Sequence, residues 1–136
     1  MPALTGVSHV ELTVSDADRS AAWYQQVLGF DVVLLSTDEP DFFKGRVISL
    51  LRPDINLGIG LVQHEKAEPG GFSEFRVGLD HLAFAVDSRA DLEAWVGHFD
   101  RHGVTYSPIR DMPYASVLVF RDPDGVQLEL FALAQT

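Results

Sequence analysis

The chain has 136 residues, 46% apolar and 22% charged, which suits one compact globular domain with a real core. Ten Lys and Arg against twenty Asp and Glu give a formal net charge of −10, which repels phosphate backbones and anionic lipid surfaces and argues against nucleic-acid and membrane partners. The absence of cysteine excludes disulfides, thiolate metal sites and a Cys nucleophile; no apolar run approaches the roughly 20 residues of a membrane helix, and Met1–Thr5 lacks a charged-then-apolar signal pattern, so the cytoplasm is the expected compartment.

In chain order, residues 8–14 alternate, placing His9, Glu11 and Thr13 on one face of a strand and Val10, Leu12 and Val14 on the other. A helix follows, capped by Ser15 or Asp16 and ended by Gly29, with Ala22, Trp23, Val27 and Leu28 as its apolar face. Residues 30–36, 45–51 and 56–63 are rich in Val, Ile and Leu and read as strands, with turns at 38–41 and 52–54. Residues 64–78, with Pro69-Gly70-Gly71, read as a linker. The pattern then begins again. A strand at 80–86 starts with His81, and Asp87 or Ser88 caps a helix with Leu92, Trp95, Val96 and Phe99 on its core face. Gly103 ends that helix, and strands are expected near 104–109, 115–121 and 126–132, the last two joined by the tight turn Asp122-Pro123-Asp124-Gly125.

The second half therefore repeats the first, with Trp23 and Trp95 each fourteen residues past His9 and His81. The fold expected is α+β: two βαβββ repeats, about 6–63 and 79–133, forming a cup-shaped eight-stranded mixed sheet around a central cavity with the helices outside. His9 and His81 lie opposite the helix-facing Leu, Val and Phe positions. In the last strand Leu128 and Leu130 face the helix, so Gln127, Glu129 and Phe131 face the cavity. A carboxylate in an apolar strand is costly to bury unless paired or bound to a cation. His9, His81 and Glu129 thus suit one divalent transition ion (Zn, Fe, Mn, Ni or Co) with open positions for water or a small-molecule substrate. Glu11, on the face of His9, is the candidate catalytic residue, as general base or replacement ligand.

Other residues are weaker candidates. His98 and His102 have helical i, i+4 spacing but fall outside the sheet, and His64 falls in a loop. Arg46, Arg110 and Arg121 could hold an anionic substrate, and each reads more simply as surface. Trp23 and Trp95 read as packing residues, whereas Phe43, Tyr114 and Phe131 are candidates for cavity lining.

Ser8-His9-Val10, Trp23-Tyr24, Val27-Leu28-Gly29-Phe30, Gly78-Leu79-Asp80-His81 and Phe120-Arg121-Asp122-Pro123-Asp124-Gly125 leading to Leu128-Glu129-Leu130 resemble the vicinal oxygen chelate superfamily. That superfamily includes glyoxalase I, extradiol dioxygenases, fosfomycin-resistance thiol transferases and bleomycin-resistance proteins. The resemblance covers nearly the whole chain and implies His9, His81 and Glu129 as ligands in a lyase, isomerase, transferase or dioxygenase, without choosing among them. Glyoxalase I-like members carry a fourth ligand, usually Glu, on the last strand of the first unit. Here the positions facing the cavity are Gly58 and Gly60, which argues against glyoxalase I itself and leaves room above the metal. Neither a potassium-binding serine loop of the fosfomycin type nor the His and Tyr that an extradiol dioxygenase would carry near Glu129 is evident. The alternative is a bleomycin-resistance-like protein that sequesters a drug or aromatic metabolite. The two glycines favour it; the retained His-His-Glu set opposes it, since sequestering relatives typically lose these ligands.

A four-stranded open sheet leaves edges and an uncovered face, so a homodimer is expected. The resemblance implies sites at its two-fold interface, the first-unit ligand coming from one chain and the second-unit pair from the other. On that arrangement, His9→Ala and Glu129→Ala chains would partly restore metal binding as a heterodimer.

Overall fold

The structure is a computed structural model that describes residues 1–36 and 44–135. The expected turn at 38–41 and Phe43 lie outside the described residues. The chain divides into two compact units, Met1–Pro69 and Gly70–Thr136. Among the described residues no helix is long and apolar enough to cross a membrane.

In the first unit β1 (His9–Thr13) leads into α1 (Ala17–Leu28), followed by β2 (Asp31–Ser36), β3 (Gly45–Arg52) and β4 (Leu57–His64). The sheet order is β1-β4-β3-β2, with β1 parallel to β4 and the other pairs antiparallel. Asp16 caps α1 by accepting from the Arg19 amide at 3.0 Å. Gly29 ends it at φ 71°, a left-handed conformation in which a Cβ is strained.

The buried stripe of α1 is Ala17, Ser20, Ala21, Tyr24, Val27 and Leu28. It corrects the sequence expectation: Ala22 is exposed and Trp23 half-buried. The stripe is rotated because Tyr24 is the aromatic that fills the core, edge-to-face against Phe30 at 6.2 Å. Arg52 donates to the Leu28 carbonyl at 2.6 Å, satisfying one of the free acceptors at the helix end.

The second unit repeats the plan: β5 (Leu82–Ala85), α2 (Arg89–His102), β6 (Arg110–Met112), β7 (Ala115–Arg121) and β8 (Gln127–Leu133), in sheet order β5-β8-β7-β6. The eight strands thus form two four-stranded mixed sheets, each with its βαβββ connection. Ser88 caps α2 and Gly103 ends it at φ 63°, as Gly29 ends α1. Leu92 and Phe99 anchor α2, fully buried and contributing about 1.5–3 kcal/mol each by removal of apolar surface from water. Phe99 stacks against Phe120 at 4.6 Å.

The strand expected near 104–109 is not continuous. Tyr106 makes an isolated bridge to Phe120, and the strand resumes only at Arg110. Pro108 explains the break, since it has no N–H for the ladder. The tight turn after β7 forms as expected: the buried Asp122 carboxylate accepts from the Asp124 and Val126 amides at 2.9 and 2.8 Å, and Gly125 takes φ 79°. Within the expected linker the division falls after Pro69, and the Phe72 amide donates to the Asp124 carbonyl at 3.1 Å.

Candidate metal centre

Strand register decides which side chains share a face. In the first unit His9 is paired with Gly58 and Glu11 with Gly60. The alternation holds: Leu12 is buried on the helix side, while His9, Glu11 and Thr13 are exposed on the other. The His9 Nε2 lies 3.9 Å from a Glu11 carboxylate oxygen. Its Nδ1 is 3.0 Å from the Ser8 hydroxyl. A Cβ built on Gly60 would sit 2.8 Å from Glu11 Cγ and 3.1 Å from its Oε1. The Glu11 side chain therefore lies across Gly60 and occupies the space that a β4 side chain would need. The room anticipated above Gly60 is filled by Glu11.

In the second unit the pairing is Ala83 with Glu129 and Val119 with Glu129 on the other side. The His81 Nε2 is 4.0 Å from Glu129 Oε1. Glu129 is 13% exposed, and among the described residues its carboxylate makes no hydrogen bond. Asp80 accepts from His81 Nδ1 at 2.6 Å. A carboxylate oxygen only accepts, so Nδ1 is the donor in this contact, and Nε2 is the ring nitrogen on the Glu129 side.

Asp80 is itself held. Gln127 donates to its carbonyl and carboxylate oxygens at 3.1 and 3.2 Å, and Arg121 donates to Gln127 at 3.1 Å and to Glu74 at 2.9 Å. The Arg121 guanidinium, hydrogen-bonded to Glu74, holds that carboxyl below the usual carboxylate range. The sequence placed Gln127 on the cavity face and Asp80 beside His81 but pointed to no role for either, or for Glu74. The available signal was local, because each candidate imidazole is preceded by a residue able to hydrogen-bond its Nδ1, Ser8 or Asp80.

The other sequence candidates are placed as follows. Arg46 pairs with Asp18 at 2.7 Å and Arg121 with Glu74, so both serve structural ion pairs. Arg110 is exposed on β6 and lines a cleft of about 430 Å³ together with Ser107, Val117, Val119, Arg121 and Gln127. Register puts that cleft on the face of Glu129. Phe131, half-buried, shares the face; Tyr114 is 61% exposed in the β6–β7 turn. His98 and His102 stack at 4.3 Å on α2, away from the sheet face, and the His102 Nδ1 bonds the His98 carbonyl. Trp23 and Trp95 are half-buried packing residues. His64 ends β4, exposed.

Among the described residues, no group of three or more His, Asp or Glu converges closely enough to hold a metal. Each unit brings together one imidazole and one carboxylate. The donor chemistry fits a divalent transition ion: two imidazoles whose Nδ1 atoms are already engaged, and a largely buried carboxylate that makes no hydrogen bond among the described residues.

Known proteins share this plan. The protein YaeR of Escherichia coli is 32% identical over 135 residues, covering 96% of this chain and 98% of its own. A glyoxylase/bleomycin resistance protein/dioxygenase domain from Frankia sp. superposes with a TM-score of 0.86 at 32% identity, covering 98% of this chain and 95% of that one. The metallothiol transferase FosB of Staphylococcus haemolyticus is 25% identical over 129 residues, covering 93% of this chain and 83% of its own. The sequence profile of the Glyoxalase/Bleomycin resistance protein/Dioxygenase superfamily matches residues 6–130, and the chain belongs to that superfamily.

Proposed function

We propose that this chain is a glyoxalase-like, metal-dependent enzyme that acts on a small chelating substrate, with His9, His81 and Glu129 as ligands to one divalent transition ion. One observation carries the proposal. Glu129 is 13% exposed, its carboxylate makes no hydrogen bond among the described residues, and the His81 Nε2 lies 4.0 Å from it. Burying a carboxylate in this way costs several kcal/mol unless a cation compensates it, on the order of 2–7 for a polar group alone. The similarity to FosB, named a metallothiol transferase, supports a metal in the same role.

When bound, a divalent ion supplies Lewis acidity toward a chelated substrate oxygen. The chain's own residues do the rest. Asp80 and Ser8 orient the two imidazoles, and Glu11 stands beside His9, where a carboxylate can take up or return a proton. The cleft beside β7 gives a small molecule room on the face of Glu129.

Elemental mass spectrometry of the untagged protein tests this. About one divalent transition ion per chain is expected, lost in His81→Ala and in Glu129→Ala. No ion in the wild type, and no thermal shift on adding Zn, Mn, Fe, Ni or Co, overturns the metalloenzyme and leaves the sequestering protein. We further propose a cytoplasmic homodimer. Edge strand β2 leaves Val33, Leu34 and Leu35 more than half exposed, an apolar surface that a second copy would cover. A single monomeric species in sedimentation at micromolar concentration overturns the dimer.

A further inference from the structure

The two units place their carboxylates on opposite strands. Glu11 is two residues past His9, and Ala83 is two residues past His81. These are equivalent positions in the repeat. Across the parallel pair, Glu11 faces Gly60, whereas Ala83 faces Glu129. In each unit one position of the pair carries a carboxylate and the other carries a residue with little or no side chain. The carboxylate oxygen nevertheless ends at almost the same distance from imidazole Nε2, 3.9 Å in the first unit and 4.0 Å in the second. In both, Nδ1 is engaged by the residue before the histidine.

Directly paired residues of neighbouring strands point to the same side and compete for one volume. Gly60 leaves that volume empty, and Glu11 fills it: a Cβ at Gly60 would fall 2.8 Å from Glu11 Cγ. We infer that Glu11 and Gly60 have exchanged roles relative to Ala83 and Glu129, so that Glu11, delivered from β1 across Gly60, is the first unit's metal-ligating carboxylate. This rests on the proposed metal site. It gives a donor set of two imidazoles and two carboxylates and makes Gly60 a position required for binding because it has no side chain.

Calorimetric titration of the metal-free chain with Zn(II) and Mn(II) tests the exchange. Glu11→Ala removes an exposed side chain and leaves the fold intact, as circular dichroism checks. Its metal affinity should fall about tenfold or more, equivalent to about 1.4 kcal/mol. Gly60→Ala should fall similarly, because the new Cβ displaces Glu11. The double variant Glu11→Ala with Gly60→Glu returns a carboxylate to the vacated volume from the other strand and should recover most of the lost affinity. A Glu11→Ala protein that binds metal like the wild type, while Glu129→Gln does not, overturns the exchange and leaves the metal site standing. A folded double variant with no recovery also overturns it. A wild type that binds neither ion removes both the site and the exchange.

Discussion

Removing the Asp80 carboxylate should weaken metal binding without unfolding the protein. Asp80 accepts from His81 Nδ1 at 2.6 Å and is braced by two Gln127 contacts at 3.1 and 3.2 Å. Its side chain is 68% exposed, so Asp80→Ala should shift stability by no more than about 0.5 kcal/mol. The cost falls on the imidazole. Without its acceptor the ring is free to rotate and to move its proton to Nε2, the nitrogen that faces Glu129. Loss of such an outer partner typically lowers metal affinity about 10- to 100-fold, or about 1.4–2.8 kcal/mol. Asp80→Asn keeps an acceptor but not its charge and should fall between the two. Zn(II) titration reads the affinity, and nitrogen-15 NMR of His81 in the metal-free chain reads the tautomer directly. A wild-type His81 protonated on Nε2, or an Asp80→Ala protein with unchanged affinity, refutes the orienting role.

Three further predictions concern the scaffold. The Ser20 hydroxyl is buried with no hydrogen-bond partner among the described residues, so Ser20→Ala should raise stability, by up to about 1 kcal/mol in urea unfolding. Phe99→Ala empties the space against Phe120 and Tyr106 and should cost about 3–5 kcal/mol in the same assay. Arg121 lowers the Glu74 carboxyl, so the stabilising contribution of that pair is complete above the ordinary carboxylate range and is lost as pH falls through the depressed value. Deuterium exchange at 72–76, corrected for intrinsic rate, should therefore rise on acidification in the wild type and be high throughout in Glu74→Gln.

The scaffold was legible wherever a local signal and a periodic one agreed. Gly29 and Gly103 mark helix ends because each adopts a left-handed φ, and the Asp and Ser caps stand immediately before the two helices. Period-two alternation holds in both strands: Leu12, Leu128 and Leu130 are buried, and His9 and Glu129 fall on the opposite faces. The misplacements arose where tertiary packing decides. Tyr24 rather than Trp23 fills the core beside Phe30, a choice that helical spacing alone does not make between neighbours. Pro108 cuts a strand that composition made continuous.

The site was harder to read for a different physical reason. Comparing positions one at a time makes Gly58 and Gly60 an absence, because a glycine brings no ligand. Sheet register makes them half of a pair. A Cβ at Gly58 would rest at ordinary contact distance, 3.4 Å from His9 Cβ, whereas one at Gly60 would collide with Glu11. The two glycines are therefore not equivalent: Gly58 tolerates a methyl group, and Gly60 must stay bare for Glu11 to lie where it does. A donor is defined by where its oxygen ends, and two facing strands can each supply an oxygen to the same place. Sequence spacing along one strand carries no information about which strand does so. The register between β1 and β4 does: it sets Glu11 of β1 directly beside Gly60 of β4, with its carboxylate across the bare backbone.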